Sequence, residues 1–499
     1  MPHLSSFLPT LVLLPGLFFA ATFCQAAQPA KPTTASTAPI PRNLPFWDWA
    51  GTAPAKAAAM DATIEKVAAQ GPFKNTWDSL KRYQVPDWFL ESRFGVFIHW
   101  GPQTLEFAGK ADATDGGKTD WKSRGIAFKG EKFDAAEWVK LFKETGVKYV
   151  VQVVEHHDAY AMYDSSFTEW SSVKMAPKRD FARELSAAVR QAGLIYGASS
   201  HTEEHWWFYN QPPKKLSSLD QPDKQFLDLW LRRLADIVEN YQPQVLWFDW
   251  CIRESVYEPY LRKLAAYYYN KGAEWKKGVV LNYKYQAFPA EAAVLDISIG
   301  TGNSVAWTPQ GPHPRPWQFD STTSSSWFWK PKIQMRPVAD IIGEMADVVS
   351  KNGNYLMNFT PAPDGTAGPE QEHVFKEIGR WMAVNGEAIY GTQPWRVFGE
   401  GPNPGLNPEF RGLKTPYTSK DIRYVQKGPA VYALVLAKPT EPVRLTALGK
   451  AAATAPNPVR KVTLLGSKEN LAWTQEPDAL VVSLPARMPF DYAAVFKIE

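Results

Sequence analysis

Asp249 is the residue whose position most needs a chemical explanation. It closes the apolar run Val245-Leu246-Trp247-Phe248. A carboxylate at the end of a buried strand is costly unless it is paired or put to use. The plainer alternatives are a helix N-cap and a structurally paired Asp. Histidines add to the pattern. Five of the chain's eight, His99, His156, His157, His201 and His205, stand at the ends of three successive strand-like runs. The same ends carry Glu155 and Asp158, then Glu203 and Glu204, and a later run ends at Asn282 and Lys284.

Such a set has two chemical readings. One is a metal site. His156 and His157 are adjacent, so in an extended segment they point to opposite sides, which is poor for joint ligation. His201-Thr-Glu-Glu204-His205 matches an inverted zincin order, but that motif needs a helix and a third ligand. The other is a sugar site, in which imidazoles donate to and accept from ring hydroxyls while aromatic rings cover the apolar sugar faces. The chain holds 21 Trp, 20 Tyr and 27 Phe, which suits a sugar site and equally suits a large core.

The elements that must position these residues follow a barrel rhythm of short apolar strands and amphipathic helices. Strands are expected at Phe94–His99, Lys148–Val154, Leu194–Ser199, Gln244–Phe248, Val279–Asn282, Val294–Ile297 and Tyr355–Phe359. Helices are expected from Asp134, whose Asp-Ala-Ala-Glu opening resembles a capping box, to Thr145, and over Asp180–Gly193, Lys224–Asn240, Val338–Val349 and Glu370–Val384. In a parallel barrel, function collects where strands end. The fold class expected is α/β: a (β/α)8-like barrel over residues 43–396, then an antiparallel β-sandwich over 397–499, where short alternating segments are separated by Pro and Gly.

Composition narrows the rest. A chain of 499 residues suits one barrel plus a smaller module. Net charge is +4, with no basic run of the kind nucleic-acid binding needs. Residues Phe7 to Phe23 form an apolar stretch broken by two prolines and followed by Cys24-Gln-Ala-Ala, which reads as a cleaved signal peptide over 1–26. The expected location is therefore periplasmic or secreted, with 27–42 a Pro/Ala/Thr-rich linker. Cleavage would leave Cys251 as the one cysteine, read as a small buried hydrophobe.

The segments WFLESRFGVFIHWGPQ, KYVVQVVEHHDAY, YDSSFTEWSSVKMAPKRD, GASSHTEEHWWF, VLWFDW, DVVSKNGNYLMNFTPAPDGT and NGEAIYGTQPW together resemble the α-L-fucosidases of glycoside hydrolase family twenty-nine, colinearly over residues 70 to 400. The resemblance implies a retaining mechanism with Asp249 as nucleophile and no metal or organic cofactor. It implies that His99, His156 and His157 bind sugar hydroxyls. Asp120 and Trp121 match an acidic-aromatic pair that binds fucose. His201 and Glu204 match a variant of the third-strand motif, and Trp317 in PWQFD looks like part of a motif near the site. Trp100, Trp247 and Lys284 complete the expected binding set. The partner implied is a fucosylated oligosaccharide or glycoconjugate.

One departure matters. Ser298 stands where members of this kind carry the Glu that looks like the general acid/base. A serine cannot replace that proton shuttle at neutral pH. The acid is expected from elsewhere, with Glu204 ahead of Glu291. The competing readings are a fucose-binding barrel with impaired turnover and a metallohydrolase built on the histidines.

Overall fold

A computed structural model describes residues 54–108, 127–204, 222–298, 309, 311–403, 416–454 and 458–499. The expected signal peptide and linker, Asp120, Trp121 and His205 lie outside the described residues, as do the side chains of Glu204 and Ser298.

Eight strands close into a parallel barrel in sequence order: β1 (Phe94–Ile98), β2 (Tyr149–Glu155), β3 (Ile195–Ser200), β4 (Val245–Phe248), β5 (Val280–Tyr283), β6 (Val294–Ser298), β7 (Trp317–Ser321) and β8 (Gly353–Phe359). Strands β2 and β8 are buried along their whole length. That is the pattern of strands lined by core inside and helices outside. Strand β7 was not expected from sequence.

Helices Ala135–Thr145, Phe181–Gln191, Lys224–Tyr241, Glu258–Glu274 and Val338–Ser350 lie between strands, and Pro369–Asn385 follows the last. Three are opened by Asp caps: Asp134 accepts from the amides of Ala136 and Glu137, Asp180 from Arg183, and Asp223 from Phe226. In Lys224–Tyr241 the expected stripe of Leu227, Trp230, Leu231, Leu234 and Val238 is buried. Strands β5 and β6 are joined by a turn with no helix, so the alternation is incomplete there.

The C-terminal module is a sandwich, as expected. A five-stranded antiparallel sheet comprises β9 (Gln393–Glu400), β10 (Ile422–Lys427), β11 (Ala430–Val435), β13 (Val462–Leu464) and β16 (Ala494–Ile498). A three-stranded sheet comprises β12 (Val443–Leu445), β14 (Trp473–Gln475) and β15 (Leu480–Val482). Along β11, Val431, Ala433 and Val435 enter the sandwich core, while Tyr432 and Leu434 join the barrel's apolar cluster. The period of two thus gives one strand two buried faces. Arg423 Nε reaches back from β10 to Asp347 Oδ1 at 2.6 Å, a buried ion pair.

Candidate active site

The strand ends bring His99, His156, His157, His201, Asp249 and Lys284 together, and each is held by identifiable neighbours. His99 follows β1, its amide donating to the Phe359 carbonyl at the end of β8. Its Nδ1 lies 2.7 Å from Asn358 Oδ1, and Asn358 donates its Nδ2 to the Trp327 carbonyl at 2.8 Å. His201 follows β3, with Nδ1 3.1 Å from the Ser199 hydroxyl. The ring of His156 stacks on His201 at 4.6 Å and 23°, and His157 lies 4.2 Å from His156. His156 Nδ1 is buried without a hydrogen-bond partner among the described residues, a cost that a ligand hydroxyl would remove.

His99, His156 and His201 are held neutral. Burial lowers His99 to about 4, against a smaller opposing effect of its bond to Asn358. Burial first, then the neighbouring histidines, lowers His156 well below its ordinary value. His201 is likewise lowered well below it, by burial against the attraction of Asp249. A neutral imidazole offers one donor and one acceptor, which fits hydroxyl recognition. One nitrogen from each of His99, His156 and His201 lies within 4.8 Å of the others. That spacing is also what imidazoles need to reach neighbouring hydroxyls of one sugar ring.

Asp249 follows β4 and opens a short turn, Trp250–Arg253, but its side chain makes no capping bond there, which disposes of the N-cap alternative. The backbone amide of Asp249 donates to Glu203 Oε1 at 2.9 Å. Lys284 Nζ lies 3.1 Å from Asp249 Oδ1, and His201 Nε2 lies 4.0 Å from Oδ2. Burial works to raise Asp249, but the Lys284 ammonium opposes it, and the carboxyl is held below its ordinary range. The result is an ionised carboxylate beside neutral imidazoles.

Beneath it is a polar platform that sequence reasoning missed. Lys284 Nζ sits 4.7 Å over the Trp247 ring and 3.3 Å from Asp320 Oδ2. Trp247 Nε1 and Gln318 Nε2 both donate to Asp296 Oδ2, at 2.9 and 2.5 Å. Tyr149 donates its hydroxyl to Gln318 Oε1 at 2.8 Å. Aromatic rings gather on another side: Trp327 is 5.1 Å from His99, Phe328 is 5.0 Å from His156, and the exposed Phe107 stacks on Phe328 at 5.2 Å.

Several expected residues fall elsewhere. Glu291 precedes β6, so it lies at the opposite, N-terminal end of the barrel, where it pairs with Arg315 at 2.8 Å on the surface. Trp317 is the first residue of β7, fully buried at that same far end, with Nε1 donating to the Lys351 carbonyl. Both expectations are corrected for one reason: they sit where strands begin. Trp100 packs among Phe128, Phe133, Trp138 and Phe181 and donates to the Ala362 carbonyl, making it a wall behind the site. It still lines, with His156 and Phe328, a small recess. Trp247 is the floor under Lys284. Glu155 is consumed by Arg233, Tyr163 and Ser200, at 2.6 to 2.8 Å, and has no exposed side-chain surface. Glu204 stands in the short turn Thr202–Glu204 directly after His201.

The comparisons agree with this geometry. A family model described as alpha-L-fucosidase matches residues 60–387, and one described as the alpha-L-fucosidase C-terminal domain matches 415–499. Tissue alpha-L-fucosidase of Mus musculus is 28% identical over 466 residues, covering 85% of this chain and 94% of its own. The human tissue enzyme is 28% identical over 476 residues, covering 86% and 91%. Among solved structures, Thermotoga maritima alpha-fucosidase superimposes with a TM-score of 0.69 at 26% identity, covering 86% of this chain and 100% of its own. The same enzyme in complex with fucose gives 0.68 at 25%, covering 86% and 100%.

Proposed function

The chain belongs to the α-L-fucosidase family, a family of glycoside hydrolases, and from that membership and the site we propose that Asp249 is the nucleophile of a retaining reaction. The observation that carries the assignment is the Asp249 carboxyl, 3.1 Å from the Lys284 ammonium and beside buried histidines at the C-terminal mouth of the barrel. In this reading His99, His156, His157 and His201 grip the hydroxyls of a terminal fucose, and Trp327 and Phe328 cover apolar parts of the ring. An oxygen of Asp249 attacks the anomeric carbon, the bond to the aglycone oxygen breaks, and a carboxylic acid protonates that oxygen. Water then attacks the same carbon and restores Asp249. Glu204 is the acid we propose, because its turn follows His201 at the mouth and Glu291 is at the wrong end. The substrate is a fucosylated oligosaccharide or glycoconjugate. The alternative of a binding barrel with impaired turnover draws no support from relatives that are named as fucosidases.

Asp249→Asn or Asp249→Gly should lose nearly all turnover of an aryl α-L-fucoside while keeping the wild-type circular dichroism. Retention of a substantial part of the wild-type rate, with contaminating enzyme excluded, overturns the assignment. Glu204→Ala should slow a natural disaccharide far more than an activated aryl fucoside, and azide should rescue it. Equal losses without rescue remove Glu204 from the role. We also propose export, on the apolar stretch Phe7 to Phe23 read as a signal peptide, and N-terminal sequencing of the mature protein tests it.

A further inference from the structure

Lys284 is one ammonium facing three carboxyls. Asp249 comes from the end of β4 at 3.1 Å, Asp320 from β7 at 3.3 Å, and Asp296 from β6 adds its charge. Two of these acids also interact with each other. Asp296 is opposite Gln318 on the adjacent strand and bonds to it, and Asp320 is two residues further along the same face. Asp296 and Asp320 are both almost fully buried, and each has one oxygen, Oδ1, that receives no donor among the described residues. Two ionised carboxylates there would bring two acceptor-only groups together in a dry interior. A proton between them removes the like-charge repulsion and gives the orphaned oxygens a donor.

We propose that Asp296 and Asp320 hold one proton between them in the resting enzyme, so that Asp320 is a reserve counter-ion for Lys284: neutral while Asp249 is ionised, and ionised while Asp249 is a glycosyl ester. The titration of the two sites agrees. Burial, reinforced by Asp296, raises Asp320 well above the ordinary carboxyl range, whereas Asp249 is lowered. The charged and titratable groups that face Asp320 are Lys284, Asp296 and Asp249. Depth excludes Asp320 as the proton donor to the substrate. Its side chain is 2% exposed against 16% for Asp249, and a leaving-group oxygen must be met from the mouth. Asp320 is therefore a positioning residue that acts through Lys284.

The balance closes over the cycle, given the reading of Asp249 as nucleophile. When Asp249 bonds to the anomeric carbon it becomes an uncharged ester, and the buried ammonium loses its nearest anion. The charge left nearby is that of Asp296, whose Oδ2 is taken by Trp247 and Gln318, and a buried ammonium without a direct ion-pair partner is strongly unfavourable. Release of the shared proton to water leaves a carboxylate 3.3 Å from Lys284. When water cleaves the ester, its electron pair returns to Asp249 and the acid pair takes a proton back. No proton is gained or lost overall.

Infrared difference spectra of the full-length enzyme, with and without carboxyl-labelled aspartate, test this. At pH 7 the wild type should show the carbonyl stretch of a protonated aspartic acid. Asp320→Asn should abolish it, because Asn cannot share the proton and Asp296 keeps two donors, Trp247 and Gln318, that need no proton on it. Trapping the wild type with a 2-fluoro fucoside should remove most of the band, read as the part that shifts in heavy water because the carbonyl of the Asp249 ester does not, a measurement that needs no variant to fold. In Asp320→Asn the trapped ester, its cation unpaired, should turn over about tenfold faster, where mere structural damage would slow it. A wild type without the band, a band that survives Asp320→Asn, or one unchanged by trapping overturns the proposal. Mass spectrometry of the labelled peptide separates the two readings. Sugar on Asp249 with an unchanged band defeats the reserve counter-ion, whereas sugar on another carboxylate defeats the nucleophile assignment.

Discussion

Neighbours fix the tautomer of His99. Asn358 donates Nδ2 to the Trp327 carbonyl, so its Oδ1 faces and accepts from His99 Nδ1, and Nε2 is left as the acceptor. Asn358→Leu removes that fixed orientation. Losing one buried hydrogen bond should lower kcat/KM on an aryl α-L-fucoside about tenfold, mostly through KM. Unchanged Michaelis constants would mean that the orientation of His99 does not matter to the sugar. Asn358 also marks where sequence reading stops. Asp249 and the histidines were legible because they follow apolar runs, where a polar residue stands out. Asn358, Asp296, Asp320 and Gln318 lie inside strands, where alternation makes a polar residue look solvent-facing. Glu203 was legible only as part of a cluster, with nothing in HTEEH to say which glutamate grips the Asp249 amide. Glu291 and Trp317 were misplaced because a motif does not reveal at which end of its strand a residue sits.

At the scale of elements, β7 shows why the rest was hidden. Trp317-Gln-Phe-Asp-Ser has two apolar residues in five, and its Gln318 and Asp320 turn inward to Tyr149, Asp296 and Lys284. A strand whose inner face is a polar platform gives no apolar run to detect. The platform depends on close packing beneath it. Gly95 in β1 lies against the Tyr149 ring, where an added Cβ would come within 2.4 Å. Gly95→Ala must therefore displace Tyr149, and with it the hydroxyl that holds Gln318. Overpacking of this kind costs about 1–3 kcal/mol, and urea denaturation should show it. Turnover of the folded fraction should also fall, because Gln318 orients Asp296 below Lys284. Gly193→Ala is the control. Its φ of +78° strains an alanine, but nothing lies within 4 Å, so it should cost stability and leave kcat/KM alone. Equal kinetic effects of the two substitutions would separate the platform from catalysis.

For the whole molecule, barrel and sandwich share one apolar body through β11 and β16, joined by the Arg423–Asp347 ion pair. Groups buried for the sake of the site therefore bear on the stability of the entire chain. Two of them do so with opposite sign. His99 is lowered to about 4 on folding, so between its unfolded value and 4 the unfolded chain holds the proton that the native protein refuses. Its penalty is absent above about pH 6.5 and grows, as pH falls to 4, to about 3 kcal/mol. Asp320 is raised, so above the ordinary carboxyl range the native protein holds a proton that the unfolded chain has released. Its penalty is absent in acid and grows as pH rises. The stability of wild type relative to His99→Gln should therefore increase from pH 4.5 to 7, while that of wild type relative to Asp320→Asn should decrease over the same range. Urea denaturation midpoints across that range, converted with each variant's own slope, give both differences. Taking each variant against wild type cancels the raised Asp236 and Asp340, which neither site shifts, while His156 and His201, lowered in part by His99, add to the His99 difference with the same sign. Parallel curves for His99→Gln would show that His99 titrates normally and is not held neutral by burial. Parallel curves for Asp320→Asn would show that Asp320 is already ionised at rest, with Lys284 shared between two carboxylates throughout the cycle.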